Sequence, residues 1–535
     1  MKRKLIPFLI IVIVPQVFLA IAILSKQNES SSIAQIQELK QRVMSKPQKA
    51  VDHGLFAELQ KDFKTPQEVT AACLSCHTGR AKEVMSTHHW LWERESFIEG
   101  RGVVSLGKKN LLNNYCTGIR SSEGSCNKCH AGYGWGDKSF DFTNELNVDC
   151  IVCHDNTETY EKASGGSGYP YMEGPLKPDY KHITANIGKP TKYNCGYCHF
   201  YSAGGNNIKH GHLEEALLDC SRDVDVHMTS EGMDMNCTDC HETKNHVMNG
   251  RYYGTASNDY NRATCEQCHG DYPHEKSILN EHSIKVTCQA CHIPVYAKVN
   301  STKLYWDWST STRMKDGQPY EEKDSLGNKT YQSIKGSAQW ANNVKPEYVW
   351  FNGQANHTLV TDSLTEFPVK INTLYGEYRD PKAKIWPVKI HRGKQPMDKN
   401  YKRLLQAKLW DAEKNKGALW VDFNWDEALK KGMEYIDVPY SGEWEFVETE
   451  MYLPISHMVS PKEKTVSCNE CHTRENSRLE GLTDFYLPGR DRNKTVDLAG
   501  TLIIVLSILG VMGHGALRVL ASKKRKQQQQ NLIGE

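Results

Sequence analysis

The sequence repeats one short pattern of cysteine and histidine that could hold a redox cofactor. Sixteen of the 18 cysteines in the 535-residue chain lie in eight copies of Cys-x-x-Cys-His. Two thiols three positions apart can each form a thioether with one vinyl group of a single haem, and the next histidine can then reach the iron. The pattern predicts eight covalently bound haem c groups. They would be attached at Cys73, Cys76, Cys126, Cys129, Cys150, Cys153, Cys195, Cys198, Cys237, Cys240, Cys265, Cys268, Cys288, Cys291, Cys468 and Cys471.

The histidine of each motif is the expected proximal ligand of one iron. These residues are His77, His130, His154, His199, His241, His269, His292 and His472. Structural zinc sites use paired Cys-x-x-Cys knuckles but need no histidine directly after each pair. Redox Cys-x-x-Cys motifs come singly on a thioredoxin-like unit. Both alternatives fit an eightfold repeat poorly.

Composition limits the class of protein. The net charge of +2 argues against a nucleic-acid binder, which would carry a basic surface. Hydrophobic residues make up only 39% of a chain that also has apolar runs at both ends. Eight haem plates would replace part of a side-chain core. We therefore expect a mainly α fold with much irregular coil, built around a closely packed eight-haem array, with transmembrane helices at the N and C termini.

The apolar runs set the expected topology. Residues 5–24 follow three basic residues and would reach about 30 Å as a helix, enough to span a bilayer. A cleaved signal is the alternative, because residues 20–22 read Ala-Ile-Ala. A second run at 498–520 precedes a basic tail, so the positive-inside rule places both ends in the cytoplasm and the haem region outside. His514 in this run could meet a membrane partner or simply lie at the interface.

The expected organisation has six parts. They are a signal anchor at 1–25, a spacer at 26–52, a haem-dense region at 53–292 with seven motifs, a C-terminal region with long helices and the last motif at 293–490, a transmembrane helix at 496–520 and a basic tail at 521–535. Residues 293–380 are expected to be irregular or short β structure. The spacing of Leu404, Leu405, Leu409 and Trp410 predicts one helix, and a second is expected to begin near Trp425.

The second axial ligands must come from histidines outside the motifs. Eight irons with two histidines each would only carry electrons, whereas an enzyme needs one iron with an open or displaceable position. Position near motifs and local context favour His89, His227, His246, His274, His282, His391 and His457. A surface or hydrogen-bonded role is favoured for His53, His88, His182, His210, His212 and His357.

Two cysteines lie outside the motifs. Cys116 stands in NNYCTG, and Cys220 stands in LLDCSRDVD. A disulfide between them is allowed in an exported chain. A free thiol beside a haem would instead be a reactive group for a sulfur or nitrogen oxyanion.

The chain resembles the octaheme tetrathionate reductase family of multihaem cytochromes c, which is related in haem arrangement to hydroxylamine oxidoreductases and pentahaem nitrite reductases. The resemblance covers about residues 70–475 and excludes the two membrane segments. Besides the eight motifs and their spacing, it rests on STHHWLWE, NNYC, CHAGYGWGDKSFDF, NVDCIVCHD, NCGYCHF, IKHGHL, DVHM, KIHRGKQPMD and ISHMVSPKEKTVSCNECH.

The resemblance implies that the second motif carries the active haem. In the family a lysine amine holds the far side of that haem, and the matching residue here is Lys209 in GGNNIKHG. A cysteine near the same haem matches Cys116. The family has an acidic residue three positions before the lysine, where this chain has Asn206. The family's local proton donor and substrate preference are therefore not carried over to this chain. A neutral amine is a displaceable ligand, although a solvated loop lysine is the alternative for Lys209.

These observations predict an exported, membrane-anchored oxidoreductase that reduces a small oxoanion such as tetrathionate or nitrite, or hydroxylamine. The expected electron donor is quinol-linked or a cytochrome, and a membrane cytochrome b could dock through the C-terminal helix and His514. One alternative is a conduit with eight low-spin haems that docks to a partner reductase. Another is oxidation in the reverse direction, as in hydroxylamine oxidoreductases.

Overall fold

The computed structural model describes residue 41 and residues 51–116, 118–250 and 261–533. The predicted signal anchor at 1–25 and nearly all of the spacer at 26–52 lie outside the described residues. The chain divides into two compact units, Met1–Val466 and Ser467–Glu535.

Short helices joined by irregular chain make up the first part of the larger unit, as expected. The α-helices are Pro66–Cys76 (α1), Arg80–Met85 (α2), Glu123–Cys126 (α3), Ile151–His154 (α4), Tyr180–Ala185 (α5), Lys192–His199 (α6), Cys237–Cys240 (α7), Glu266–His269 (α8), Ser277–His282 (α9) and Cys288–His292 (α10). Single 3₁₀ turns lie at His53–Leu55, Ala57–Leu59, Asn127–Cys129, Glu145–Asn147 and Glu215–Leu218. Capping boxes begin α6 and α7, where backbone and side chain at each N-terminus exchange hydrogen bonds.

Two small hairpins accompany these helices. The first pairs Glu93–Ile98 (β1) with Gly102–Gly107 (β2), and the second pairs Thr243–Lys244 (β3) with Val247–Met248 (β4). Both are antiparallel.

An eight-stranded sheet dominates the rest of the larger unit. The strands after β4 are Thr302–Asp307 (β5), Met314–Lys315 (β6), Gln318–Pro319 (β7), Glu321–Lys323 (β8), Lys329–Gln332 (β9), Gly336–Ala341 (β10), Glu347–Phe351 (β11), Ala355–His357 (β12), Val369–Lys370 (β13), Asn372–Leu374 (β14), Lys384–Asp398 (β15) and Trp444–Pro454 (β16). The sheet runs in the order β13-β16-β15-β5-β10-β9-β8, with β11 also paired to β15. This sheet corrects the expectation of a mainly α fold with long helices in this region.

The longest strand, β15, places polar side chains on one face. Successive residues of a strand point to opposite faces, so Lys389, His391 and Gln395 share a face. All three are buried, whereas Arg392 on the other face is exposed and pairs with Glu347. Strand β15 is antiparallel to β16 and parallel to β5, with Arg392 opposite Tyr305. These polar side chains of β15 therefore lie in the interior of the larger unit.

The predicted helix through Leu404 and Leu409 is wrong, and the helix at Trp425 is confirmed. The first segment has no helical hydrogen bonds; Leu405 N donates to Pro396 O at 2.9 Å and Lys408 N donates to Ala428 O at 2.8 Å. It is extended between the sheet and the helix Trp425–Tyr435 (α12), which follows the short helix Leu419–Asp422 (α11). The apolar residues of this segment are buried against both the sheet and the helix, so their spacing in the sequence resembled that of one face of a helix.

The smaller unit contains the last motif and one long helix. The motif forms Cys468–Cys471 (α13), preceded by a capping box at Ser467, and the long helix is Lys494–Ile533 (α14). Within α14, Lys494–Gln529 is long and apolar enough to cross a membrane, with a mean hydropathy of 2.2 in its most apolar window. Gly489 has a φ of +88°, and a Cβ there would lie 2.7 Å from the carbonyl oxygen of His472.

Candidate functional site

Six motif histidines each lie opposite a second histidine from elsewhere in the chain. Two imidazoles bonded to opposite sides of one iron at about 2 Å place their ring centres about 6 Å apart. The space between the paired rings therefore fits one haem iron in each case. The ring centres are 6.1–6.4 Å apart in His53–His77, His89–His199, His154–His246, His227–His269, His241–His457 and His274–His292.

The hydrogen bonds of these rings also suit metal binding. Nδ1 of His154 lies 2.8 Å from the carbonyl oxygen of Gly188, and Nδ1 of His241 lies 2.8 Å from that of Asn249. In the smaller unit, Nδ1 of His472 lies 2.7 Å from a backbone carbonyl oxygen. A bonded Nδ1 leaves Nε2 as the ligand nitrogen and fixes the orientation of the ring.

Thiols of different motifs contact one another. Each contact joins two motifs, so the attachment points of motifs 1 and 3, 2 and 4, 4 and 5, and 6 and 7 lie side by side. Cofactors attached at adjacent points stay close, which favours electron transfer between them. The sulfur atoms that lie beside each other are those of Cys73 and Cys150, Cys129 and Cys198, Cys195 and Cys237, and Cys265 and Cys288.

His130 of the second motif differs from the other motif histidines. Its Nε2 lies 3.0 Å from the carbonyl oxygen of Trp90, so this nitrogen donates a hydrogen bond to the backbone. Its ring lies in an aromatic cage formed by Trp90, Trp135, Phe140 and Phe142, with ring centres 4.7–6.1 Å from its own. Burial lowers the pKa of His130 to about 3, so the ring is neutral. Among the described residues, the ring of His130 has these aromatic neighbours and no second histidine opposite it. Its role as the proximal ligand of the second motif stays a prediction.

A buried ion pair holds the backbone at His130. Lys162 Nζ lies 3.0 Å from the carboxylate of Asp149, and both side chains are fully buried. The same ammonium donates to the carbonyl oxygen of His130 at 2.6 Å. Tyr133 and Tyr160 donate their hydroxyls to Asp149 at 2.8 and 3.0 Å. This network fixes the chain where the second motif ends and the third begins.

The buried face of β15 fixes the loop that carries Cys116. Asn114 donates its side-chain amide to the carbonyl oxygen of His391 at 2.8 Å. Gln395 donates to Asn114 Oδ1 at 2.6 Å. The Cys116 amide donates to Asn113 Oδ1 at 2.8 Å, which closes the turn.

The same face fixes the segment that carries Lys209. Lys389 Nζ donates to the carbonyl oxygens of Ile208 and Lys209, at 2.8 and 2.9 Å. Tyr115, next to Cys116, donates its hydroxyl to the carbonyl oxygen of Lys209 at 2.8 Å. The structure therefore brings together the NNYC and IKHG segments, which lie far apart in the sequence.

Burial of Lys209 favours its neutral amine. Burial and, to a smaller extent, the charge of Lys108 lower the pKa of Lys209 to about 8, against the opposing effect of Cys116 and Cys129. Burial raises the pKa of the Cys116 thiol, and the charges of Lys335, Lys303 and Lys209 oppose that shift. Cys129 belongs to the second motif, so the amine of Lys209 lies near the attachment point of that motif.

The remaining predicted site residues have other surroundings. The ring of His391 lies against Tyr115, with centres 4.1 Å apart. His282 shares a feature with the motif histidines described above, because its Nδ1 lies 2.6 Å from the carbonyl oxygen of Ile278 and leaves Nε2 as the candidate ligand nitrogen. Asn206 accepts a hydrogen bond from the Glu215 amide at 2.9 Å, which caps a 3₁₀ turn.

Sequence reasoning missed His53 and left Cys116 and Cys220 open. His53 lies opposite His77, although it stands in a separate 3₁₀ turn well before the first motif. The two cysteines have free thiols in the structure. They pack in different apolar clusters, so the structure does not support a disulfide between them.

The chain is similar to known proteins. A family model described as bacterial cytochrome c matches residues 303–475. The crystal structure of octaheme cytochrome c from Shewanella oneidensis is similar to the chain, with a TM-score of 0.75 and 40% identity, covering 83% of this chain and 98% of that one. A protein of Archaeoglobus fulgidus described as uncharacterized is 23% identical, over 41% of this chain and 87% of its own length.

The fold and the paired histidines define a multihaem c-type cytochrome, which carries covalently bound haem c. The chain belongs to the octahaem c-type cytochromes.

Proposed function

We propose that the protein is a membrane-anchored, extracytoplasmic octahaem oxidoreductase that reduces a small sulfur or nitrogen oxoanion at the second motif. Cys126 and Cys129 would attach the active haem, and Lys209 would supply its amine ligand. His130 would be the proximal ligand, as the motif predicts. The observation that carries the proposal is that the structure brings the Lys209 segment to the loop that carries Cys116, since Tyr115 donates its hydroxyl to the carbonyl oxygen of Lys209 at 2.8 Å.

The residues present fit this assignment. Haem c would supply one-electron redox chemistry when bound, His130 and Lys209 would hold its iron, and the amine would be the displaceable ligand. The six histidine pairs would hold cofactors that only carry electrons. The backbone of Lys209 is held by two independent hydrogen bonds, from Lys389 and from Tyr115.

The chemistry favours tetrathionate among the candidate substrates. Two electrons cleave the central sulfur–sulfur bond of tetrathionate and release two thiosulfate ions, and no proton is consumed. Reduction of nitrite or hydroxylamine consumes protons. Asn206 replaces the family's acidic residue and is engaged with the Glu215 amide, so it offers no acidic proton.

The C-terminal helix supports the proposed location. Lys494–Gln529 could hold the protein in the membrane with the cytochrome outside the cytoplasm. A quinol-linked or cytochrome donor would then supply electrons, and a membrane cytochrome b could contact the helix near His514.

Ligand binding to the oxidised protein tests the proposal without turnover. The full chain with all haems attached is titrated with cyanide and with nitrite, and the irons are followed by electron paramagnetic resonance. One iron should change its signal while the others keep theirs. The matched variant Lys209→His should suppress this change, because imidazole is held more firmly than an amine. Eight unresponsive irons in the wild type would establish an electron conduit instead.

A further inference from the structure

Asp225 is a buried carboxylate that forms hydrogen bonds with two segments lying far apart in the sequence. Its Oδ1 accepts hydrogen bonds from the backbone N–H groups of His227 and Met228, at 2.8 and 3.1 Å. Its Oδ2 accepts hydrogen bonds from those of Met458 and Val459, at 2.9 and 3.1 Å. Asp225 is only 3% exposed. Four N–H groups donated to the two oxygens favour the ionised form of the carboxyl.

Both segments carry the second histidine of a pair described above. His227 lies opposite His269 of the sixth motif, with ring centres 6.1 Å apart. His457, the neighbour of Met458, lies opposite His241 of the fifth motif, with ring centres 6.2 Å apart. One carboxylate therefore holds the backbone at the second ligands expected for two irons.

Further hydrogen bonds join the two segments directly. Val226 donates its backbone N–H to the carbonyl oxygen of Val459 at 3.0 Å. Lys298 donates to the carbonyl oxygen of Val224 at 2.9 Å and to Ser460 Oγ at 2.8 Å. Because the segments are bonded to each other as well as to one carboxylate, a change at that carboxylate reaches both histidines.

The backbone of Met458 needs the support that this carboxylate supplies. Met458 is fully buried and has a φ of +70°. A residue with a Cβ is disfavoured in this left-handed region, so the conformation persists only where the surroundings stabilise it. The adjacent ring of His457 is held separately, since its Nδ1 lies 2.9 Å from Nδ1 of His212. The orientation of His457 thus depends on one partner of its ring and on Asp225 through the next residue.

Asp225 also places a negative charge beside the expected ligands. Its Oδ1 lies 3.7 Å from Nδ1 of His227. A negative charge near an iron stabilises the oxidised form, which carries one more positive charge than the reduced form. Nearby charge and hydrogen bonds around the axial ligands set the reduction potential of a haem iron. A carboxylate shared by two ligand segments therefore acts on two potentials at once.

We propose that Asp225 is a positioning residue that holds the second ligands of the fifth and sixth haems together and lowers the reduction potentials of both. The two irons would then be tuned jointly, as one low-potential part of the route taken by electrons. The inference goes beyond the proposed function and holds equally for an electron conduit, since it involves neither Lys209 nor the substrate.

The test is a redox titration of the full chain with all haems attached, followed by electron paramagnetic resonance and without substrate. His227→Met and His457→Met each replace one second ligand, so the signals that change identify the sixth and the fifth iron. Asp225→Asn then removes the charge, and its amide nitrogen cannot accept the hydrogen bonds that the second carboxylate oxygen accepts. Asp225→Glu retains the charge.

Asp398→Asn is the matched control. Asp398 is fully buried and also accepts hydrogen bonds from backbone N–H groups, those of Ser441, Tyr401 and Asn400. None of these residues adjoins a motif or a paired histidine. A general loss of stability would therefore affect the two asparagine variants alike. The haem content of each protein is measured as a check on folding and attachment.

We expect the signals of the fifth and sixth irons to titrate at more positive potentials in Asp225→Asn. At a fixed potential the ratio of reduced to oxidised iron should rise about tenfold for each, equivalent to about 59 mV for a one-electron couple. The other six irons should keep their potentials. Asp225→Glu should stay closer to the wild type than Asp225→Asn, and Asp398→Asn should match the wild type.

Several results would overturn the inference. A shift at only one of the two irons would show that the carboxylate does not serve both ligands. Shifts at all eight irons, or the same shifts in Asp398→Asn, would show a general loss of packing. Unchanged potentials at both irons in Asp225→Asn would remove Asp225 from the tuning of either haem. If Asp225→Asn does not retain its haems, Asp225→Glu takes its place, and it must alter the signals of these two irons and of no other.

Discussion

Nε2 of His130 lies 3.0 Å from the carbonyl oxygen of Trp90, while the paired motif histidines lie opposite a second imidazole. The histidine of the second motif therefore has different neighbours from the six paired motif histidines. The difference comes from the residues after the motif, since Trp135, Phe140 and Phe142 surround the ring of His130. Lys209 is then the residue on which the proposed activity depends.

Replacing Lys209 tests this dependence directly. Lys209→Met should lower turnover by more than about a hundredfold, because the amine proposed to act at the second motif is lost. Electron paramagnetic resonance should show a change at one iron and the wild-type signals at the others. The control is Lys370→Met, which should keep both properties. Wild-type turnover in Lys209→Met would contradict the assignment.

Lys389 should act as a positioning residue. Its ammonium donates to the Lys209 carbonyl oxygen and to Thr302 Oγ1 at 2.6 Å, and it does not reach the motif cysteines through any hydrogen bond in the described residues. Lys389→Met should reduce kcat about tenfold to a hundredfold, as loss of an outer-shell partner does, with little change in KM. The signal of the same single iron should broaden or shift. A loss of folding without that specific signal change would indicate a structural role only.

The buried pair of Lys162 and Asp149 should contribute strongly to stability. Lys162→Met leaves the Asp149 carboxylate buried without its cation, which typically costs about 3–5 kcal/mol. Urea unfolding followed by tryptophan fluorescence should show a clearly lower midpoint. The double variant Lys162→Met/Asp149→Asn should recover part of the loss, because a neutral amide needs no cation. Equal midpoints for Lys162→Met and wild type would show that the pair is not a stabilising element.

Asp398, at the end of β15, should make the stability of the folded protein decrease in acid. Burial raises the pKa of its carboxyl, but the amides of Ser441, Tyr401 and Asn400 outweigh this effect, so the net pKa is lowered. A carboxyl with a lowered pKa stabilises the fold above its unfolded pKa of about 4, and this contribution is lost as the pH falls through the folded pKa.

Unfolding midpoints between pH 7 and pH 3 should therefore fall more steeply for wild type than for Asp398→Asn. The variant should be less stable than wild type at pH 7, where the carboxylate accepts its hydrogen bonds. Parallel pH profiles for the two proteins would remove Asp398 from this account.

The sequence was most informative where chemistry depends on neighbouring residues. The eight motifs and the start of α12 near Trp425 could both be recognised from local spacing. Leu404 and Leu409 misled the prediction, because a segment buried on every side has no polar face that distinguishes an extended chain from a helix.

Contacts between residues from separate segments could not be predicted from local spacing. His53 lies opposite His77 only because the chain folds back over the first motif, and no local pattern marks it. The aromatic surroundings of His130 could not be predicted from its motif, because the motif follows the same Cys-x-x-Cys-His pattern as the others. The aromatic residues that follow in GYGWGDKSFDF were a usable signal, since they are the side chains that form its cage.

Steady-state oxidation of a reduced viologen dye by the full chain tests the central claim most directly. Tetrathionate, nitrite and hydroxylamine are added in turn, with Lys209→Met measured in parallel. The account predicts rapid dye oxidation by the wild type with tetrathionate and a loss of more than about a hundredfold in the variant. Dye oxidation by none of the three, from protein that still exchanges electrons with other cytochromes, would contradict the claim that the second motif is a catalytic site.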